Sequence, residues 1–286
     1  METVVKSSVL PDKKGGLLVG LLSLGLFLYA YHETFQWLFE RYDNPDSHYS
    51  HGYLIPFISG YLIWLKRKEL VELPRTSSSV GLWLIIAALL VHVVSIWTHT
   101  FFTSGFSILV LVLGLCLYLY GTELTKRIAF PIAFLSFMFP LPMRVISAIS
   151  FPLKMLVANL GTAIMARTGM PIVREGAMIH LTNASLSVGD PCSGIRSLIA
   201  LMAMGALYAY LLRGSFARKL LIFLLMIPVA IATNVLRVCT LIFVADKLGS
   251  QWASPDHWFH TTSGLAVFVI SMAILFGIMR VLERPE

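Results

Sequence analysis

The chain has 286 residues, of which 57% are hydrophobic and only 13% charged, with a formal net charge of +7 and a mean hydropathy of +0.79. So little polar surface cannot coat a soluble globule of this size. The basic residues are scattered between apolar stretches and form no continuous stripe, which argues against a nucleic-acid partner. Together these properties predict an all-α polytopic membrane protein in contact with lipid.

A membrane span takes roughly 20 mainly apolar residues. In chain order, eight candidate stretches satisfy this loosely: 16–38, 52–65, 80–97, 103–120, 127–141, 193–212, 219–246 and 262–282. The first follows Lys6, Lys13 and Lys14 as a secretory signal would. No small-residue cleavage site of A-x-A type follows Leu26, however, and the apolar run continues through Phe35, Trp37 and Leu38, so it reads as a retained span. With the N-terminus inside, the inner segments carry fourteen lysines and arginines and the outer segments six, Arg41, Arg144, Lys154, Arg167, Arg174 and Lys247. That imbalance predicts both termini on the cytoplasmic side.

Two polar interruptions fall on the predicted outer side. The first is RYDNPDSHYSHG, Arg41 to Gly52, where His48 and His51 face outward; His51 either lines an entrance or shapes its loop. The second runs from 140 to 190 and is long for a connection without structure of its own. Residues 145–168 place apolar groups at helical spacing with Lys154, Asn159 and Arg167 among them, which suits a helix lying at the interface or entering partway. The alternating runs around Gly176 then read as a small extracytoplasmic β-hairpin before the sixth span. With no internal repeat or linker, one integral-membrane domain over 1–286 is the simplest organisation, with 140–190 as its insertion.

Asp190-Pro191-Cys192-Ser193-Gly194-Ile195-Arg196 marks the entry of a polar loop into an apolar span. Pro191 favours a turn or a first helical turn, so Cys192 is expected near a helix N-terminus, where free N–H groups favour a thiolate. Arg196, four residues on, adds positive charge on the same helical face. Position alone is equally compatible with a small residue packed at a tight junction. Arg237 lies in the seventh span, eighteen residues from Lys219, about 27 Å along a helix. An arginine at that depth faces a cavity or a partner or else snorkels to outer headgroups; Thr233 and Asn234 share its stripe. In SPDHWFHTTSG, Ser254 and Pro255 suit a helix start, which would set Asp256 and His260 on one face as carboxylate and imidazole. A predicted outer face thus holds a nucleophile, a cation and a base, Cys192, Arg237 and His260, from three different helices. Cys116 and Cys239 sit in apolar runs as packing residues, and no ligand spacing calls for a metal or another cofactor.

The strings DPCSGIRSL, NVLRV and HTTSG, with YSHGYLIP (Tyr49 to Pro56) and FPLPMR (Phe139 to Arg144), resemble segments of the exosortase/archaeosortase family. The resemblance covers roughly 45–270. It differs at Asp190-Pro191, where the family usually has Glu-Ala. It implies a multi-pass enzyme of the bacterial inner membrane, usually of eight spans, with a sortase-like set at Cys192, Arg237 and His260 facing the periplasm. Arg196, Asn234, Asp256 and His51 are the candidate supporting residues. It further implies exported proteins with C-terminal sorting signals as partners, each a short motif such as Pro-Glu-Pro followed by a hydrophobic helix and a basic cluster. Cleavage would precede transfer to a surface or exopolysaccharide-linked acceptor. The competing readings are a membrane transporter and a non-enzymatic component of exopolysaccharide assembly.

Overall fold

The computed structural model describes residues 2–3, 13–44, 48–182, 184–188, 194–254 and 256–282, in two compact units, Met1–Pro140 and Leu141–Glu286. In the first unit, helices α1 (Lys13–Ala30) and α2 (His32–Asp43) meet at 64° across Tyr31. A break in an apolar helix leaves carbonyls that lipid cannot hydrogen-bond. The partner here is His92, whose Nε2 lies 3.1 Å from the Ala30 carbonyl and whose Nδ1 lies 2.9 Å from Ser104 Oγ. Its ring stacks on Tyr31 at 3.8 Å. The Tyr31 hydroxyl reaches Ser107 at 2.9 Å and Thr34 reaches Ser104 at 2.6 Å, so the bend is held by a buried polar network.

A 3₁₀ turn (Ser50–Tyr53) leads into α3 (Leu54–Leu65) and the short α4 (Arg67–Glu72). Strand β1 (Glu2–Thr3) pairs antiparallel with β2 (Ser77–Ser78). Helices α5 (Ser79–Trp97) and α6 (Phe101–Phe134) then pack closely, because a Cβ on Gly81 would stand 2.7 Å from the Gly114 carbonyl and one on Gly114 3.0 Å from that of Gly81. Small residues at facing positions are how helices approach without a hydrophobic driving force in lipid. The fourth predicted span and the first half of the fifth lie in this one element, interrupted at Gly121, whose φ of 82° and ψ of −177° are non-helical. Beyond it, Arg127 pairs with Glu69 at 2.7 Å and accepts from Lys66 Nζ at 2.9 Å through its carbonyl, tying α4 to α6.

The second unit is built around α9 (Phe216–Leu248). Helix α7 (Met143–Ala166) runs parallel to it, since Gly161 meets Val238 and Ile242 while Met165 and Thr168 share a pocket with Phe243 and Asp246. Helix α8 (Ile195–Leu211) is antiparallel, with Gly194 against Asn234 and Gly205 against Met226. After the single turn α10 (Ser250–Ala253), α11 (Trp258–Leu282) is also antiparallel, with Thr233 opposite Ser271 and Arg237 opposite His260. Between α7 and α8 the chain forms an antiparallel meander, β3 (Ile172–Glu175), β4 (Met178–Leu181) and β5 (Ser185–Ser187), in which Ile172 pairs with Leu181 and Ile179 with Leu186. Ile179, Leu181, Leu186 and Val188 turn inward onto Val157, Val238, Leu241 and Ile242, so the sheet adheres to α7 and α9 by its apolar face.

This is an all-α multi-pass membrane architecture with a small β element. Among the described residues, α5, α6, α7, α9 and α11 are long and apolar enough to cross a bilayer, and the bent α1–α2 pair makes a sixth. Helices α3, of 12 residues, and α8, of 17, are shorter. From the sequence, 145–168 is expected to lie at the interface or enter partway, with Lys154, Asn159 and Arg167 interspersed among its apolar groups. In the structure α7 has 24 residues and the length and hydropathy of a span, and its helical phase collects Ile146, Ser150, Val157, Ala158, Gly161 and Met165 on one buried face.

Replacing Gly81 with valine forces α5 away from α6 and destabilises the first unit by about 1–3 kcal/mol. Thermal unfolding of the detergent-solubilised protein detects this as a lowered midpoint. Gly20→Ala, where an added Cβ meets nothing within 4 Å, leaves the midpoint unchanged.

Candidate active site

Helix α9 carries Thr233, Asn234 and Arg237 on one stripe, and all three are buried among apolar helices, Arg237 at 9% exposure. A guanidinium there needs fixed acceptors, because its charge is costly wherever water is scarce. Helix α11 provides them from its first two turns. Arg237 Nη2 donates to the His260 carbonyl at 3.0 Å and lies 3.5 Å from His260 Nδ1. Arg237 Nε donates to Ser263 Oγ at 3.4 Å, and Ser263 in turn donates to the His260 carbonyl at 2.8 Å. Because the guanidinium can only donate, Nδ1 is the accepting nitrogen in this contact. His260 is itself 3% exposed.

Two glycines make room for these polar groups. A Cβ on Gly264 would stand 3.1 Å from Arg237 Nη2. Gly194, immediately before α8, has a left-handed φ of 77°, and a Cβ there would stand 2.6 Å from Asn234 Nδ2. Gly194 thus carries both a backbone requirement and a steric one. The α8 entry rests directly on Asn234, one helical turn from Arg237.

The structure therefore brings Arg237, His260 and Asn234 together. Cys192, with Asp190 and Pro191, lies outside the described residues. Arg196 stands exposed in the first turn of α8. Helix α8 begins at Ile195, after the left-handed Gly194. The expected pairing of Asp256 with His260 on one helical face is corrected. Helix α11 begins at Trp258, so Asp256 sits exposed in the preceding turn and shares no helical face with His260, whose amide instead donates to the His257 carbonyl at 3.0 Å. Ser263 was missed by the sequence reading; its signal was a hydroxyl three residues after His260.

His51 belongs to the first unit. Its ring stacks on Tyr49 at 5.7 Å and hydrogen-bonds the Phe137 backbone, while its Nε2 is buried with no hydrogen-bond partner among the described residues. Burial pushes its pKa down to about 4 against the Phe137 bond, which acts the other way. It is therefore a packed neutral imidazole.

Three outcomes follow from this geometry. Gly194→Ala displaces Asn234 and lowers the yield of folded protein, whereas Gly176→Ala, with a φ of 61° but nothing within 4 Å of the added Cβ, costs only backbone strain. Arg237→Lys keeps the charge but loses the fork between His260 and Ser263, lowering the unfolding midpoint by a few degrees. Because the folded pKa of His51 is below its ordinary 6.5, the unfolded chain takes up the proton first as pH falls. Stability is therefore full above pH 6.5 and declines toward about pH 4; His51→Gln flattens that decline in a pH series of unfolding midpoints.

Comparison with known proteins gives one match. The family model described as transmembrane exosortase (Exosortase_EpsH) matches residues 37–277. No curated protein and no solved structure matches the chain. The matched region takes in α3, all of α5 to α10 and most of α11, including Asn234, Arg237 and His260. The chain belongs to the transmembrane exosortase family.

Proposed function

We propose that this protein is a membrane-embedded cysteine peptidase or transpeptidase that cleaves C-terminal sorting signals of exported proteins at the outer face of the bacterial inner membrane. The observation that carries the reading is the hydrogen-bonded Arg237–His260 pair beside Asn234, onto which the α8 entry packs through Gly194. Two residues of extended chain span at most about 7 Å, so connectivity tethers a nucleophile at 192 to this arrangement. The family's signature segments supply the reaction class.

In this reading the Cys192 thiolate attacks the scissile carbonyl and forms a C–S bond. Arg237 stabilises the oxyanion that develops on the carbonyl oxygen. His260 protonates the leaving amine as the C–N bond breaks, giving a thioester. An incoming nucleophile then gives up a proton to His260 and displaces the sulfur; an amine completes transpeptidation and water completes hydrolysis. The substrate is an exported protein ending in a short motif of the Pro-Glu-Pro type, an apolar helix and a basic cluster. The inner-side excess of lysine and arginine supports an outward-facing site.

The test is processing of a tagged sorting-signal protein in cells carrying Cys192→Ala or Cys192→Ser. Both variants accumulate full-length precursor, and Arg237→Ala slows processing by about 100-fold or more. Unchanged processing in both cysteine variants would overturn the enzyme assignment. Loss of export without accumulated precursor would favour a transporter.

A further inference from the structure

Where α7 and α9 both finish, in the second unit, their last turns leave a crevice of about 390 Å³. Met165, Met170 and Phe243 form its apolar wall, and Thr168, Asp246 and Lys247 its polar side. That volume is in the range of small-molecule sites. From Lys219 in its first turn to Asp246 in its last, α9 covers 27 residues, about 40 Å, the thickness of a bilayer with both headgroup layers. Asp246 and Lys247 therefore lie at headgroup level. Exposed apolar side chains continue the crevice toward the bilayer centre, Ile164 one turn before Thr168 on α7 and Leu236 two turns before Phe243 on α9.

The crevice is electrostatically two-sided. The Asp246 side chain is only 16% exposed, and among the described residues its one ion-pair partner is Lys247, 3.0 Å away and 62% exposed at the mouth. A carboxylate accepts from several donors through its two oxygens, so a single flexible ammonium leaves part of that capacity unused. Both helices also turn their C-terminal carbonyl ends this way, and the Thr168 hydroxyl is already engaged by the Met165 carbonyl at 2.7 Å. The inner part of the crevice thus favours a cation with N–H donors. The mouth, through Lys247, favours an anion.

We propose that this crevice is a phospholipid site that takes a headgroup with a primary ammonium and a phosphate, of the phosphatidylethanolamine kind. The ammonium donates to Asp246, the phosphate meets Lys247, and the acyl chains follow Ile164 and Leu236 into the bilayer. A trimethylammonium headgroup has no N–H to donate to the carboxylate, and a purely anionic one sets its charge against Asp246 and two helix C-termini. Asp246 lies nine residues after Arg237 on α9, about 13 Å along the helix. The bound lipid therefore ties the ends of α7 and α9 together without entering the chemistry at Arg237 and His260, and the inference is independent of the peptidase reading.

The test is native mass spectrometry of the full chain in detergent with one added phospholipid at a time, all with the same acyl chains. The parent retains phosphatidylethanolamine at least about 10-fold more strongly than phosphatidylcholine or phosphatidylglycerol, the worth of a hydrogen bond to a charged group. Asp246→Asn and Asp246→Ser both lose that preference; should one fail to accumulate, the other decides. Lys247→Gln weakens retention of all three lipids, and Arg174→Gln, on β3, changes none. Soluble phosphoethanolamine at equal concentration does not displace the lipid, because it lacks the chains. Equal retention of the three lipids by the parent, as for bulk lipid around the helices, or an unchanged preference in the Asp246 variants would overturn the inference. Displacement by soluble phosphoethanolamine would overturn the assignment to a lipid.

Discussion

A guanidinium buried in a bundle of apolar helices sets the terms for everything around it, because its donors must find acceptors that neither lipid nor aliphatic side chains offer. Arg237 meets that demand with a backbone carbonyl and a hydroxyl from the first turns of α11, at His260 and Ser263. The consequence is a fixed register between α9 and α11, extended deeper along both helices by the 2.8 Å contact of Thr233 and Ser271. Gly264 follows from the same need, since any side chain there would press on the guanidinium.

Asn234 extends the constraint to the opposite flank. Its amide lies where a Cβ of residue 194 would be, so the α8 entry turns in a left-handed conformation available at little cost only to glycine. The polar stripe of one helix thereby fixes how two antiparallel neighbours meet it. On the third side, α7 lies parallel and contributes Gly161 beneath Val238. The β3–β5 meander seals this packing with Ile179 and Leu186. In the first unit the corresponding device is smaller: the imidazole of His92 satisfies both a broken helix end and a serine hydroxyl, and so holds the Tyr31 bend.

Much of the candidate site was legible because membrane insertion penalises charge so heavily. Arg237 declared itself by sitting among isoleucines and valines, and Asn234 and His260 by periodicity and by resemblance to family segments. Asp256 was read less well. Its assignment assumed a helix beginning at Pro255, whereas the helix begins at Trp258. Local spacing arguments fail at helix ends, where one left-handed glycine or one extra turn changes which side chains share a face. Ser263 escaped notice because a serine in an apolar helix carries no cost that marks it.

Composition and hydropathy by themselves determined that this chain lies in a membrane, that it is helical, and where most apolar segments run, because the bilayer solvates no unpaired backbone and few charges. The signature segments by themselves pointed to the exosortase family. Tertiary structure decided the rest. It made α7 a helix of spanning length, packed parallel to α9, although its mean hydropathy is diluted by Lys154. It joined Arg237 to the His260 carbonyl and to Ser263, and it set the α8 entry on Asn234. These are relations between residues 23 to 40 positions apart, 237 with 260 and 194 with 234. They depend on which faces of separate helices meet, and no one-dimensional pattern specifies that.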